Sequence, residues 1–142
     1  MLTNLKRFTW CFVITMVICA CSPIISNYDQ YSYTQTTSLK VDALNIMAAA
    51  NEDYSKHETE ATTVKVNIQK ILEYEKHRPN NEITTLLWET LSDTSSNLFG
   101  GFLKEWQARQ TLKPAYIPVK QKQVSEAFDK IINLEVKKIH KK

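Results

Sequence analysis

Glycine and proline are scarce in this chain, at two and four of 142 residues. No glycine-rich phosphate loop and no Gly-x-Ser-x-Gly nucleophile turn can be drawn from Gly100 and Gly101 alone. Cysteine is scarcer still where it would matter. Cys11, Cys19 and Cys21 all lie at the N-terminus, and no thiol follows. Beyond residue 21 the chain therefore has no disulfide, thiol nucleophile, cysteine zinc site or iron–sulfur cluster to offer. The three histidines, His57, His77 and His140, show no i, i+4 pair and no His-Glu-x-x-His string. No alternating strand pattern and no internal repeat stands out.

What is present begins with an address. Lys6 and Arg7 precede an apolar run from Trp10 to Ala20, which ends on Cys21. A secretory signal has this order: basic residues, an apolar stretch of roughly 7–15 residues, then small residues at the cut. As a helix the run spans only about 16 Å, too short for a hydrocarbon core of roughly 30 Å.

Ile18-Cys19-Ala20-Cys21 resembles the lipobox of bacterial lipoproteins: aliphatic, small, small, cysteine. The resemblance covers the signal alone. It implies that residues 1–20 are removed, that Cys21 is lipidated, and that the new N-terminus is acylated. Ser22 in place of Asp after the cysteine resembles the pattern for outer-membrane delivery. The implied location is the bacterial cell envelope, facing the periplasm or the surface. One acyl chain attaches a protein only marginally, so several on one cysteine are needed to hold a domain at a bilayer.

Loss of the signal changes the charge balance. Of the 18 basic side chains, Lys6 and Arg7 would leave, so 16 stand against 15 acidic ones. This near-neutrality gives no concentrated basic face for nucleic acid.

After a tether at residues 21–27, residues 28–142 read as an all-α bundle of three long helices plus a shorter pair. The first long helix, Tyr28 to Ala50, carries Leu39, Ala43, Ile46 and Ala50 at three- and four-residue steps. Its start, Tyr31 to Ser38, is poor in helix formers. Ser55-Lys56-His57-Glu58 fits a capping box for the second helix, which runs to about His77. Its stripe is Tyr54, His57, Ala61, Val64, Ile68 and Ile71, widened by Leu72.

Asn81 is placed to cap a third helix, Glu82 to about Leu91, with Ile83, Leu86, Leu87 and Leu91 as its apolar side. A fourth runs from Asn97 to Gln110 across Gly100-Gly101. Those glycines require either close packing or a later helix start. Pro114 and Pro118 bracket a linker. The last helix, Val119 to Ile139, uses Val124, Phe128, Ile131, Ile132, Glu135 and Ile139.

Candidate sites are few. Glu73 with Glu75, and Glu58 with Glu60, are two apart on helices and read as solvated surface. His57 reads as a boundary residue, and His77 as a cation suited to a helix C-terminus. No catalytic residue, metal ligand or cofactor is expected. Tyr28, Tyr31 and Tyr33 form a candidate partner surface beside the tether, because tyrosine joins rigid apolar area to a polar tip. Phe99, Phe102 and Trp106 form a candidate apolar patch, although core packing suits the segment better. The basic tail from Lys137 to Lys142 suits a helix end, with anionic envelope polymers or lipid as the functional reading.

The expected role is a lipid-anchored structural or interaction protein with the membrane and an envelope protein as partners. The alternatives are a small-ligand or lipid-binding protein, or by analogy a surface exclusion or immunity lipoprotein.

Overall fold

A computed structural model describes residues 25–139. The signal, Cys21 and the end of the basic tail lie outside them. Among the described residues the chain is all-helical, with long helices α1 (Gln30–Ala48), α2 (Glu58–Lys76) and α5 (Ile117–Ile139). A shorter pair, α3 (Glu82–Ser92) and α4 (Phe99–Arg109), separates α2 from α5. Single 3₁₀ turns at Ala49–Asn51 and Tyr54–Lys56 join α1 to α2. No described helix is long and apolar enough to cross a membrane.

Helices α1, α2, α3 and α5 close a four-member ring: α1 packs on α2 and α5, and α3 packs on α2 and α5. Short connections place sequential neighbours antiparallel. Helix α4 lies in the α3–α5 connection and packs against α3 and the Tyr54–Lys56 turn.

The stripes expected on α1 and α2 are buried except at half-buried His57 and Leu72, with Ala43 and Ala61 fully enclosed. The Ser- and Thr-rich start of α1 is helical because the stripe continues through Ser32 and Thr36, both buried. Their hydroxyls are satisfied: Thr36 Oγ1 donates to the Ser32 carbonyl at 2.7 Å, and Ser32 Oγ donates to Glu75. Asp29 caps the helix by accepting from the Ser32 amide at 2.7 Å.

Three local expectations are corrected. The capping box at Ser55 does not form. Asp53 caps the preceding 3₁₀ turn, accepting from the Ser55 amide and hydroxyl, and α2 starts at Glu58 without a side-chain cap. Asn81 precedes α3 but leaves its amides uncapped, because its side chain turns into the bundle. Helix α5 starts at Ile117 and takes Pro118 into its first turn, where no intrahelical amide donor is needed.

The buried side of α3 is rotated from the expected one: Leu91 is buried and Leu87 packs half-buried on the core, but Ile83 and Leu86 turn outward. Thr84, Trp88 and Leu91 face inward, while Ile83 and Leu86 are 56% and 61% exposed. Trp88 decides the rotation. Its ring meets Phe128 edge-on at 5.8 Å. Burying an indole of 150–250 Å² contributes about 4–6 kcal/mol at ~25 cal/mol/Å². That exceeds the roughly 1–3 kcal/mol lost because Trp88 Nε1 finds no hydrogen-bond partner among the described residues.

Close packing answers the glycine question. Helix α4 begins at Phe99, before both glycines. A Cβ on Gly100 would overlap the Ser92 carbonyl, and one on Gly101 would overlap the Ser96 carbonyl. The glycines let the first turn of α4 sit on the loop that feeds it.

Candidate functional site

The described chain enters the bundle at Ser26, and a buried polar cluster forms around that entry. Helix α2 supplies Glu75, the following turn Arg78 and Asn81, α3 Thr84, and α5 Glu135 and Lys138. Glu75 and Glu135 are 0% and 2% exposed, and the Lys138 side chain 1%. Glu75 occupies the next position of the α2 stripe, four residues after Ile71. Its burial overturns its reading as solvated surface, while Glu73 stays exposed. Lys138 is likewise no part of a solvated basic tail.

Burying one carboxylate alone would cost several kcal/mol. Here two carboxylates meet two cations, and the remaining hydrogen-bonding groups are supplied locally. Arg78 bridges both acids, with Nη1 at 2.9 Å from Glu75 Oε2 and Nη2 at 3.3 Å from Glu135 Oε1. Lys138 Nζ donates to Glu135 Oε2 at 2.5 Å, to Asn81 Oδ1 at 3.2 Å and to Thr84 Oγ1 at 3.3 Å. Asn81 Nδ2 donates to Glu75 Oε2 at 2.5 Å and to the Glu75 carbonyl at 3.0 Å.

The same cluster grips the incoming chain. Ser26 Oγ donates to Asn81 Oδ1 at 2.7 Å, and the Ser26 amide to the Asn80 carbonyl at 2.7 Å. The Asn27 carbonyl accepts from Arg78 at 2.5 Å, and the Asp29 amide donates to Glu135 at 2.6 Å. Ser26, within the stretch expected as tether, is therefore buried in the packed unit, and the exposed Asn27 is held by its carbonyl. Asn80 takes a left-handed conformation, φ 55°, to make this turn.

The charges are held in place electrostatically. Burial opposes the Arg78 charge, but hydrogen bonding to Glu135 and the Glu75 carboxylate outweigh it and raise its pKa. Burial works against the Asp29 charge too. The Ser32 amide, the Tyr74 hydroxyl and Arg78 prevail and hold its carboxyl below 3.8. Tyr74 OH donates to Asp29 Oδ2 at 2.9 Å, and burial together with that bond raises the phenol pKa.

The tyrosines flank this entry. Tyr31 is 50% exposed and meets Tyr74 edge-on at 4.8 Å, and Tyr28 and Tyr33 lie 6.4 Å apart, both half-buried. Tyr74 completes a four-tyrosine surface that the sequence reading did not include. The signal for it was periodic: Tyr74 lies three residues beyond Ile71 on α2, at the edge of the stripe.

Phe99, Phe102 and Trp106 sit at the opposite end and are at most 1% exposed. They are core, the packing that suits this segment better than a surface patch. Trp106 meets Tyr54 edge-on at 5.2 Å and donates from Nε1 to the Glu52 carbonyl at 3.0 Å. The half-buried His57 ring lies 5.7 Å from Trp106, its nitrogens 3.4 Å from Glu52 and Glu60. The start of the α4–α5 linker closes this region through Tyr54 N to Gln110 O and Leu112 N to Ala50 O. No group of three His, Cys, Asp or Glu side chains arranged for a metal ion occurs among the described residues. Comparison with known proteins returned no matching family, no matching curated protein and no matching solved structure.

Proposed function

We propose that this chain is a lipid-anchored helical protein of the bacterial envelope, attached through Cys21, with a structural or protein-interaction role. The supporting observation is the grip of the buried cluster on Ser26 to Asp29. With Ser26 fixed, five residue steps separate the bundle from the anchoring sulfur. At no more than ~3.6 Å each, they span at most about 18 Å. Such a short leash holds the tyrosine-bearing end near the bilayer. A pull on the anchor passes directly into α2 and α5. The exposed faces of Tyr31 and Tyr74 then meet a partner that is itself at the membrane.

Intact-mass measurement of the chain from bacterial membranes tests the anchor. The expected species starts at Cys21 and carries the added mass of acyl chains, and Cys21→Ala abolishes that species. A product that retains Met1, or has the mass of bare polypeptide, defeats the proposal. A photo-crosslinking amino acid at position 31 tests the role. A discrete adduct with an envelope protein is expected, and it is lost when the crosslinker is moved to exposed Lys122 on α5.

A further inference from the structure

Away from the anchor end, α2 and α4 diverge and leave a groove between them. Its α2 wall is Ala61, Lys65, Ile68 and Leu72, and its α4 wall is Phe99, Gly100, Leu103 and Lys104. Tyr54, Ser92, Thr94 and, at the rim, the exposed Gln69 and Gln107 complete the lining, and the volume is about 220 Å³. The floor is apolar and buried. The rim carries two exposed lysines, one from each wall, and neither forms an ion pair among the described residues.

We propose that this groove binds a single-chain anionic amphiphile, with its tail on Ile68, Leu72, Phe99 and Leu103 and its head between Lys65 and Lys104. Three properties select that class. From Lys65 to Leu72 the α2 wall is about 10 Å long at 1.5 Å per residue, the shape of a chain rather than a ring system. The volume falls below the roughly 300–1,000 Å³ of sites for drug-sized ligands, which suits one alkyl chain. Two lysines outside any ion pair, with the Asp93 carboxylate in electrostatic reach of Lys104, leave net positive potential at the mouth, where a carboxylate or phosphate monoester is favoured and a cation repelled. A polar rim over an apolar floor fixes the orientation of the bound molecule. The site is separate from the anchor, so it stands or falls independently of Cys21.

The test uses the full chain in phospholipid nanodiscs and a twelve-carbon carboxylate bearing a terminal diazirine. Light-driven adducts are expected on α2 and α4 peptides that contain Ile68, Leu72 or Leu103. Lys65→Glu with Lys104→Glu should reduce them at least fivefold, while Lys65→Arg with Lys104→Arg should retain them. All four changes lie on exposed side chains, and an unchanged circular-dichroism spectrum verifies the fold. The same tail with a trimethylammonium head should label at least fivefold less. A diazirine-bearing phosphatidylglycerol placed in the nanodisc separates the sources of the ligand. Labelling by the free carboxylate alone identifies a free single-chain amphiphile, and equal labelling by the two-chain phosphatidylglycerol overturns the single-chain assignment in favour of a bilayer lipid. Absence of adducts on α2 and α4, equal labelling by the cationic probe, or indifference to lysine reversal overturns the site.

Discussion

The two ends of this bundle are held by opposite physics. At one end Phe99, Phe102, Trp106, Met47 and Leu112 are held mainly by non-directional apolar packing, with the Trp106 indole bond to the Glu52 carbonyl as the one directional side-chain contact among them. At the other end Glu75, Arg78, Asn81, Glu135 and Lys138 form a directional network in which each atom needs a named partner. The apolar end holds the α1–α2 turns and α4 together. The polar end holds the incoming chain against three helices. Apolar packing weakens gradually as it is trimmed, whereas a buried ion network fails when one member leaves. A single defined exit for an anchored chain is better served by the second kind of contact.

The sharpest break in that contrast is Glu135→Ala. It leaves Lys138 buried with only Asn81 and Thr84, and urea denaturation should show a loss of about 3–5 kcal/mol. Glu135→Leu combined with Lys138→Met removes both charges. That double variant should recover most of the loss and regain at least the parent stability within about 1 kcal/mol. Failure to recover would show that the bonds to Asn81, Thr84 and the Asp29 amide outweigh the desolvation of the pair.

Next comes the packed loop near the apolar end. Gly100→Ala drives a methyl into the Ser92 carbonyl, and the same measurement should show a loss of about 1–3 kcal/mol. Met47→Leu conserves volume in the fully buried core and should cost less than about 1.5 kcal/mol. A larger loss there than at Glu135 would invert the comparison.

The smallest effect is expected from pH. The Asp29 carboxyl is depressed in the folded state, so its contribution is present above its ordinary value of 3.8 and is lost as pH falls through the lower folded value. Asn caps a helix as well as Asp. Asp29→Asn should therefore flatten this part of the acid limb of a stability–pH curve while leaving the neutral-pH spectrum unchanged. At the alkaline limit, burial and a 2.6 Å bond to Glu105 push the Tyr116 phenol up to about 12. Ultraviolet titration should show a phenol step near pH 12 that Tyr116→Phe removes, and stability due to its neutral form should fall as pH rises from 10 towards 12.

Much of this was readable in advance, and Glu75 marks where reading stopped. The run Tyr54, His57, Ala61, Val64, Ile68, Ile71 has one further member at the same spacing, and it is a glutamate. In α5 the stripe Val124, Phe128, Ile131 also ends on a glutamate, Glu135, and there the pattern was followed. Each acid has a basic residue three positions on, Arg78 and Lys138. A charge in an apolar register on two helices, each with its own counter-charge, is a legible sign of a buried network. The pairing between the two acids is not legible, because Arg78 and Glu135 are 57 residues apart.

Helix α3 gives the complementary lesson. Its eleven residues contain two faces at helical spacing, one through Ile83 and Leu86 and one through Thr84 and Trp88. Periodicity cannot choose between them. The choice was made by the ring of Phe128 and the ammonium of Lys138, which come from another helix. The apolar cluster of α4 was legible as core, but its neighbours, the Tyr54 ring and the Glu52 carbonyl, were not, since they come from another part of the chain.

The sequence alone determined five helices, their approximate limits and most of the core, because backbone hydrogen bonds and a 3.6-residue period are local properties. Tertiary structure alone decided which face of α3 turns inward, that Glu75 and Lys138 are buried, and that Ser26 and Asn27 are clamped. Those outcomes depend on directional contacts between residues as much as 106 positions apart, and their strength exists only once water has been excluded around them.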